Sequence, residues 1–331
     1  MTTGAVSGLS SLSPKLVLHL EGEGGFSGRL EAFAEAIVRR SGGAVALARG
    51  EGAILPEAAA GITVCRGGRC NLHFLMVPEH YELEPFLRAL RPADEPPVPA
   101  GIAERLASMT SPAEIRVLVS VHCPNCPAVV DAAARLAGAA PAVTVYVIDA
   151  QVYPRTAEER GILAVPAVVI DHDLVLVGPL GIERMADLLL GREQGRYEIE
   201  ACRSWLLRGR TAEAVLSLGR ERYRRAWVEL FQEPELSTRM GVLVMVERAL
   251  ESHPEWVRSM VPLWLPLLEH RDGRIRGDVA DLLGRIGDRR ALPHLERLCE
   301  DPDPDVAEAA AEAVGALRDA ASGESDLDSG R

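Results

Sequence analysis

The chain has 331 residues, with 36 Lys or Arg against 48 Asp or Glu and a formal net charge of −12. Because single hydrophobic cores rarely serve more than about 300 residues, we expect two or three domains. The acidic balance disfavours nucleic acid as a partner, since polyanions are held by clustered basic side chains.

The ends of the chain and its apolar runs bear on location. Residues 1–14 are rich in Ser, Thr and Gly, lack the pattern of a secretory signal, and are predicted to be disordered. No run approaches the roughly 18 apolar residues that span a bilayer. Six cysteines are too few for a disulfide scaffold. We therefore expect a cytoplasmic protein with no membrane partner.

Residues 15–91 alternate strand-like and helix-like patterns, which predicts βαβ followed by ββα. The last two strands are joined by Gly67-Gly68, a two-residue signal for a type I′ hairpin turn. The predicted strands are 16–20, 44–48, 62–66 and 69–76, and the predicted helices are 26–40 and 82–90.

The same order of elements returns after a connecting segment. Residues 92–112 combine a proline-rich linker with a helix at 102–109. Residues 113–192 then repeat the α/β order, which indicates two copies of one small unit that share an edge or a face. The predicted strands are 116–121, 143–148, 168–170 and 174–177, and the predicted helices are 126–137, 156–161 and 182–190.

Residues 197–319 are predicted to be helical throughout. A repeat of period 31 aligns Pro262 with Pro293 and Gly284 with Gly315, which is typical of stacked helical hairpins. Two interpretations stay open for this array: a surface that docks a protein partner, or a structural cap. The last segment, 320–331, is rich in Ser, Gly and Asp and is predicted to be disordered.

The residues that point to chemistry are Cys123-Pro124-Asn125-Cys126, at the change from a buried strand to a helix. A helix N-terminus stabilises a thiolate and lowers a cysteine pKa from about 8.5 into a range of about 3.5 to 7.5. Pro124 suits the first helical position. We expect Cys123 to attack a partner disulfide and Cys126 to resolve the mixed disulfide.

A metal site is the alternative for this spacing, but zinc would need a second pair of ligands. Cys202 and Cys299 are isolated in the helical part and are interpreted as buried small residues. We therefore predict no metal and no cofactor. Val165-Pro166, at the start of a strand, is a candidate cis peptide that would face the cysteine loop, and an ordinary trans proline at a strand start is the alternative that these residues alone leave open.

Cys65 and Cys70 flank the hairpin turn and form the second thiol pair. In a hairpin closed by Gly67-Gly68 they face each other with Cα atoms about 4.5 Å apart, so a cross-strand disulfide is geometrically allowed. The alternative, two unlinked small residues, is the one that the sequence favours.

Together these motifs carry a resemblance. The stretch 114–191, with its dithiol, Tyr146-Val147-Ile148-Asp149 and the segment before Pro166, resembles a thioredoxin-fold domain. Residues 15–191 resemble the N-terminal double-thioredoxin domain of the alkyl hydroperoxide reductase flavoprotein subunit and the archaeal glutaredoxin-like protein disulfide oxidoreductases. The helical part resembles HEAT repeats. The fold class is therefore predicted to be tandem thioredoxin-like α/β folds followed by an all-α repeat domain.

The resemblance implies a thiol–disulfide oxidoreductase or electron relay, with Cys123 attacking, Cys126 resolving and Pro166 in the cis form. Pro124, Asn125 and the backbone of Val165 would meet a disulfide-containing protein substrate, and a separate reductase or dithiol would donate electrons. Thioredoxins keep an acidic residue before the dithiol, for which Glu114 is the nearest candidate here. The alternative function is a protein-interaction scaffold with a redox-sensing or vestigial thioredoxin module.

Overall fold

The computed structural model describes residues 16–22, 27–50, 60–91 and 98–328. The chain divides into two compact units, Met1–Tyr197 and Glu198–Arg331. The first is α/β and the second is helical, in agreement with the predicted fold class. The segments predicted as a disordered start (1–14) and as a proline-rich linker (most of it 92–97) lie outside the described residues.

The first unit is built on one mixed sheet of eight strands in the order β2-β1-β3-β4-β6-β5-β7-β8. The pairs β1–β2, β4–β6 and β5–β6 are parallel and the other neighbours are antiparallel. The strands are β1 (Leu16–Gly22), β2 (Val45–Gly50), β3 (Ala60–Arg66), β4 (Arg69–Leu75), β5 (Ala113–Val119), β6 (Val143–Asp149), β7 (Ala167–Ile170) and β8 (Leu174–Val177).

Two halves of equal topology share an edge in this sheet, which was one of the two arrangements that the repeated order allowed. The order β2-β1-β3-β4 of the first half matches β6-β5-β7-β8 of the second, and β4 pairs with β6 across the junction. A row of fully buried apolar side chains runs across that junction in register: Ile62, Phe74, Val147, Val117 and Val168. Both halves therefore contribute to one continuous core.

Amphipathic helices supply the apolar faces that cover this core. In α1 the buried residues Leu30, Phe33, Ala34 and Ile37 recur at the spacing of one helical face. The helices of the unit are α1 (Ser27–Arg40), α2 (Leu83–Leu90), α3 (Ala100–Ala107), α4 (Cys126–Ala139), α5 (Pro154–Glu158) and α6 (Ile182–Leu190). A 3-10 turn, His80–Glu82, leads into α2.

The second unit consists of consecutive helices around an aromatic core. Trp227, Trp264, Tyr223 and Phe231 are fully buried, and the Trp227 indole Nε1 donates to Ser217 Oγ at 2.8 Å. The helices are α7 (Arg196–Leu207, which crosses the unit boundary), α8 (Thr211–Ser217), α9 (Glu221–Phe231), α10 (Leu236–Ser252), α11 (Pro254–Trp264), α12 (Gly273–Ile286), α13 (Leu292–Leu298) and α14 (Pro304–Asp328). None of the helices in the described part of the chain is long and apolar enough to cross a membrane.

The C-terminal segment differs from its prediction. We expect disorder from residue 320, whereas α14 continues to Asp328. The alanine-rich stretch that precedes this segment is a strong helix former, and adding residues to an existing helix is much easier than nucleating one. Residues 329–331 lie outside the described part of the chain.

Candidate functional site

The loop between β5 and α4 presents two free thiols of different accessibility. Cys123 is partly exposed and Cys126, three residues later, is 0% exposed. The Cys123 amide donates to the Ser120 carbonyl at 2.9 Å, which closes the turn after β5. Burial, together with a hydrogen bond to Cys123, raises the pKa of the Cys126 thiol well above its usual range. The first thiol can therefore be reached by a partner while the second is held protonated and hidden.

The helix α4 begins at Cys126, as the sequence predicts, but Pro124 does not occupy its first position. Asn125 is the N-cap and Cys126 the first residue of α4, so Pro124 lies in the preceding turn and the proline within the first helical turn is Pro127. The expected position of Pro124 is wrong because a turn, closed by the hydrogen bond from the Cys123 amide to the Ser120 carbonyl, precedes the helix. Pro124 and Asn125 are both exposed beside Cys123.

A cis peptide bond joins Val165 and Pro166, at the position considered from the sequence. It places the Val165 carbonyl oxygen 3.9 Å from Cys123 Sγ. Pro166 is buried, whereas Leu163 two residues before Val165 is 98% exposed. A backbone carbonyl therefore lies beside the accessible thiol, and an exposed apolar side chain precedes it in the same segment.

The acidic residue near the dithiol comes from the other half of the unit. Glu82, on the 3-10 turn before α2, is 0% exposed, and neither carboxyl oxygen has a hydrogen-bond partner within the described residues. Burial, and secondarily the charge of Asp149, raises the pKa of this carboxyl to about 7. The 3-10 turn that carries Glu82 packs against α4, the helix that begins with Cys126, and the Glu82 charge is a minor contribution to the raised pKa of the Cys126 thiol.

Glu114, the acidic residue that the sequence suggested for the position near the dithiol, does not occupy it. It lies at the start of β5, where its Oε1 accepts from Arg116 Nε at 2.6 Å and lies 3.5 Å from His172 Nε2. The dithiol follows the opposite end of the same strand. Glu114 is therefore a partner of the buried Arg116 and has no contact with the cysteines.

Two histidines, one from each half, lie near the accessible thiol. The rings of His80 and His122 have centroids 5.1 Å apart, and both residues are exposed. His80 shares the 3-10 turn with Glu82, and His122 precedes Cys123. His122 can be assigned to the site from the sequence because it directly precedes Cys123. Nothing in the sequence near His80 or Glu82 indicates that they lie close to the dithiol.

Cys65 and Cys70 are joined by a disulfide, with Cα atoms 4.1 Å apart. The unlinked alternative that the sequence favours is therefore corrected. Gly67 and Gly68 both have positive φ, 58° and 83°, as the type I′ turn requires, and a bulge follows in which Cys65 lies opposite two residues of β4. Of the remaining cysteines, Cys202 is fully buried and Cys299 is half-buried.

Fold and site together define a double thioredoxin-like unit with one dithiol, followed by a helical repeat unit. Residues 113–189 match the family model described as thioredoxin domain, and residues 261–325 match the one described as HEAT repeats. The resemblances expected from the sequence are thereby confirmed for these two regions. No curated protein sequence matches the chain.

Solved structures extend the likeness to both halves of the first unit. The alkylhydroperoxide reductase AhpF of Enterococcus faecalis is 22% identical, with a TM-score of 0.51 over 56% of this chain and 95% of that one. The N-terminal domain of the same protein gives 21% identity and a TM-score of 0.50 over 56% and 95%. A protein disulfide oxidoreductase from Aeropyrum pernix gives 17% and 0.51 over 58% and 91%. At these identities the likeness establishes the fold.

Proposed function

We propose that this chain is a thiol–disulfide oxidoreductase that acts on disulfides of protein partners through Cys123 and Cys126. The observation that carries the proposal is that an accessible free thiol, Cys123, lies next to a buried one, Cys126, at the N-terminus of α4. The Val165 carbonyl oxygen, 3.9 Å from the accessible sulfur, supports it, since a backbone group beside the thiol can meet the chain of a partner. A cytoplasmic location agrees with free thiols in this pair.

The reaction proceeds in two displacements. The Cys123 thiolate attacks one sulfur of the partner disulfide, which breaks that S–S bond and releases one partner sulfur as a thiolate that takes a proton. Cys126 then gives up its proton and attacks Cys123 Sγ, which frees the second partner thiolate. The partner gains two electrons and two protons, and Cys123 and Cys126 become a disulfide. A separate reductase or dithiol must reverse this oxidation.

Glu82 is the group that we assign to the second displacement. A buried thiol with a raised pKa needs a base within its own environment, because water does not reach it. With a pKa of about 7, the Glu82 carboxyl can accept a proton near neutral pH and hand it to the departing partner thiolate. The half of the unit that lacks a dithiol thus supplies the acid–base group.

Substrate binding is assigned to the surface around Cys123. The Val165 backbone is positioned to pair with an extended segment of the partner, in the manner of strand addition. Pro124 and Asn125, next to Cys123 in the loop, and Leu163, two residues before Val165, are all exposed and offer mixed apolar and polar contacts. Such a surface fits a flexible disulfide loop better than a small thiol.

The test is a matched set of cysteine variants of the full chain. Cys123→Ser should abolish reduction of a protein disulfide such as that of insulin, while Cys126→Ser should retain the first displacement and accumulate a mixed disulfide on Cys123. Cys299→Ser, which removes a half-buried thiol in the other unit, should keep full activity. Undiminished insulin reduction by Cys123→Ser would refute the proposal.

For the helical unit we propose a role in docking the protein partner. Leu236, Met240 and Val244 recur every four residues along α10 and are 60%, 39% and 52% exposed, which makes an apolar stripe on one helix face. Introducing Val244→Glu into the Cys126→Ser chain should reduce capture of the native partner from cells, whereas Ser237→Glu, exposed on the same helix but off the stripe, should not. Equal capture by both variants would leave the docking role without support.

The same cysteine variants distinguish the scaffold interpretation from the enzymatic one. If the helical unit binds a partner while Cys123→Ser leaves the chain's cellular role intact, then the interaction itself is the function and the dithiol is at most a sensor. Loss of that role in Cys123→Ser, together with loss of insulin reduction, supports the oxidoreductase.

A further inference from the structure

The second thiol pair lies against a histidine from a neighbouring strand. In the sheet, Cys65 of β3 is in register with Val17 of β1, and His19 follows two residues later on the same face. Diagonal neighbours of this kind lie within reach of a long side chain. The ligand atoms of His19, Cys65 and Cys70 all lie within 4.8 Å of one another.

This cluster is remote from the proposed active site. Cys70 is at the start of β4, which runs parallel to β6 and β5, whereas Cys123 follows the end of β5. Strands of seven residues rise about 3.3 Å per residue, so the two thiol pairs are separated by roughly the full strand length of about 20 Å. Cys123 therefore cannot exchange directly with Cys65 or Cys70 of the same molecule.

We propose that reduction of the Cys65–Cys70 disulfide creates a site for one zinc-class divalent ion, held by Cys65, Cys70 and His19. Two thiolates and one imidazole are ligands that zinc prefers, and two cysteines separated by four residues across a tight turn have the spacing of a zinc knuckle. Cys70 is exposed, which leaves the fourth tetrahedral position open to water or to another ligand.

The local charges agree with such an ion. Two thiolates neutralise its double positive charge, so the bound site is neutral and is not repelled by the neighbouring arginines. The Arg66 guanidinium is directed elsewhere, since it donates to the carbonyl oxygens of Ala89 and Arg91. The coordinated site would tie β1 to the β3–β4 hairpin through metal bonds where the oxidised state has only the disulfide and the ladder.

The switch from disulfide to metal site conserves atoms and electrons. An external dithiol breaks the Cys65–Cys70 bond, is itself oxidised to a disulfide, and leaves its two protons on the two cysteine sulfurs. The incoming ion then displaces both protons to solvent as the thiolates coordinate it. An external disulfide reverses the sequence: it accepts two electrons from the two thiolates and two protons from solvent to become a dithiol, the Cys65–Cys70 bond forms again, and the ion is released.

The experiment uses the full chain with Cys123→Ser and Cys126→Ser, so that the other thiol pair cannot bind metal. This protein is reduced with a phosphine, separated from the reductant and titrated with Co²⁺ alone, and Zn²⁺ is then added to displace it. We expect saturation at about one equivalent with a thiolate-to-cobalt charge-transfer band. The same protein oxidised with diamide should give no band, and neither should a form that also carries Cys65→Ser and Cys70→Ser.

Variants at His19 separate ligation from folding. His19→Gln should weaken Co²⁺ binding by at least about tenfold, whereas His19→Cys restores a metal-binding donor and should restore affinity. His73→Gln, on the same sheet face but outside the cluster, should bind as the parent does, and circular dichroism verifies that each variant is folded. A reduced parent without a saturable band, or equal affinity in folded His19→Gln, overturns the proposal.

Discussion

Replacing Glu82 with Gln should remove a pH dependence from the stability of the first unit. Burial raises the pKa of this carboxyl from 4.5 to about 7 in the folded protein. In the unfolded chain it titrates near its ordinary value, so the native state holds an extra proton between about pH 4.5 and 7. A state that binds more protons loses stability as protons become scarce, and the free energy of unfolding therefore falls as pH rises through this window.

The magnitude follows from the size of the pKa change. One pKa unit corresponds to about 1.4 kcal/mol, so the rise from 4.5 to about 7 makes the contribution of Glu82 to the free energy of unfolding about 3 kcal/mol less favourable above pH 7 than below 4.5. Gln cannot ionise. Glu82→Gln should therefore match the wild-type chain at low pH and exceed its stability by up to about 3 kcal/mol above neutral pH.

Urea unfolding at a series of pH values measures this difference. All four tryptophans lie at or beyond residue 205, so their fluorescence reports the second unit, and the transition seen only by circular dichroism belongs to the first. Glu79→Gln is the matched control, because Glu79 lies on the same segment but is partly exposed in an ion pair with Arg29 at 3.0 Å. If Glu82→Gln and wild type differ by a constant amount across the whole pH range, the buried-carboxylate reasoning is refuted.

The same substitution, Glu82→Gln, should also slow the step in which Cys126 resolves the mixed disulfide. Only the ionised Glu82 carboxylate can accept the Cys126 proton, so the wild-type rate of resolution should fall as pH drops below about 7. Loss of a positioned general base typically costs about 10² to 10⁴ in rate, and Glu82→Gln should resolve the mixed disulfide that much more slowly and without this pH dependence. Stopped-flow release of the second partner thiol measures the step, and an unchanged rate in Glu82→Gln would remove Glu82 from the mechanism.

Two further predictions concern the helical unit, and tryptophan fluorescence in urea measures both. Gly284→Ala should destabilise it by about 1 to 3 kcal/mol, because the new Cβ would lie 2.9 Å from Ala313 Cβ, whereas Gly315→Ala has open space and should be neutral or stabilising; equal effects would contradict this packing. Arg276→Lys should cost about 1 kcal/mol, because Lys cannot replace the two-pronged contact with Asp301 at 2.8 and 2.7 Å. That cost should shrink in acid as Asp301, whose pKa the Arg276 guanidinium lowers, takes up a proton.

Local signals in the sequence predict most of the fold. Apolar residues recurring along α1 and the β-branched runs of β5 and β6 are recognised within a window of a few residues, and the elements that they predict are present with shifted ends. The Gly67-Gly68 turn is likewise local, because only the two glycines must adopt positive φ. The helical repeat is visible because Gly284 and Gly315 recur at a fixed period.

The site is less predictable because its parts meet through the tertiary fold. Cys123 and Cys126 are recognisable by their spacing, but Glu82 is brought towards α4 only because the two halves share a sheet and the 3-10 turn before α2 packs on that helix. The choice of Glu114 failed for the same reason: nearness in sequence placed it on β5, at the end away from the dithiol. The residues next to Glu82 in the sequence do not indicate that it is buried, nor that its carboxyl oxygens lack hydrogen-bond partners among the described residues.

The position of Glu82 gives the first half of the unit a role in the proposed mechanism of the second. Among residues 113–189, the Cys126 thiol is fully buried with a raised pKa, and Glu114, on the strand that leads to the dithiol, is engaged with Arg116. The parallel pairing of β4 with β6 joins the two halves in one sheet, and the 3-10 turn that carries Glu82 packs against α4. In the proposed mechanism, a half without a dithiol is thus a component of the active site, and separating the halves would remove the base while leaving both cysteines in place.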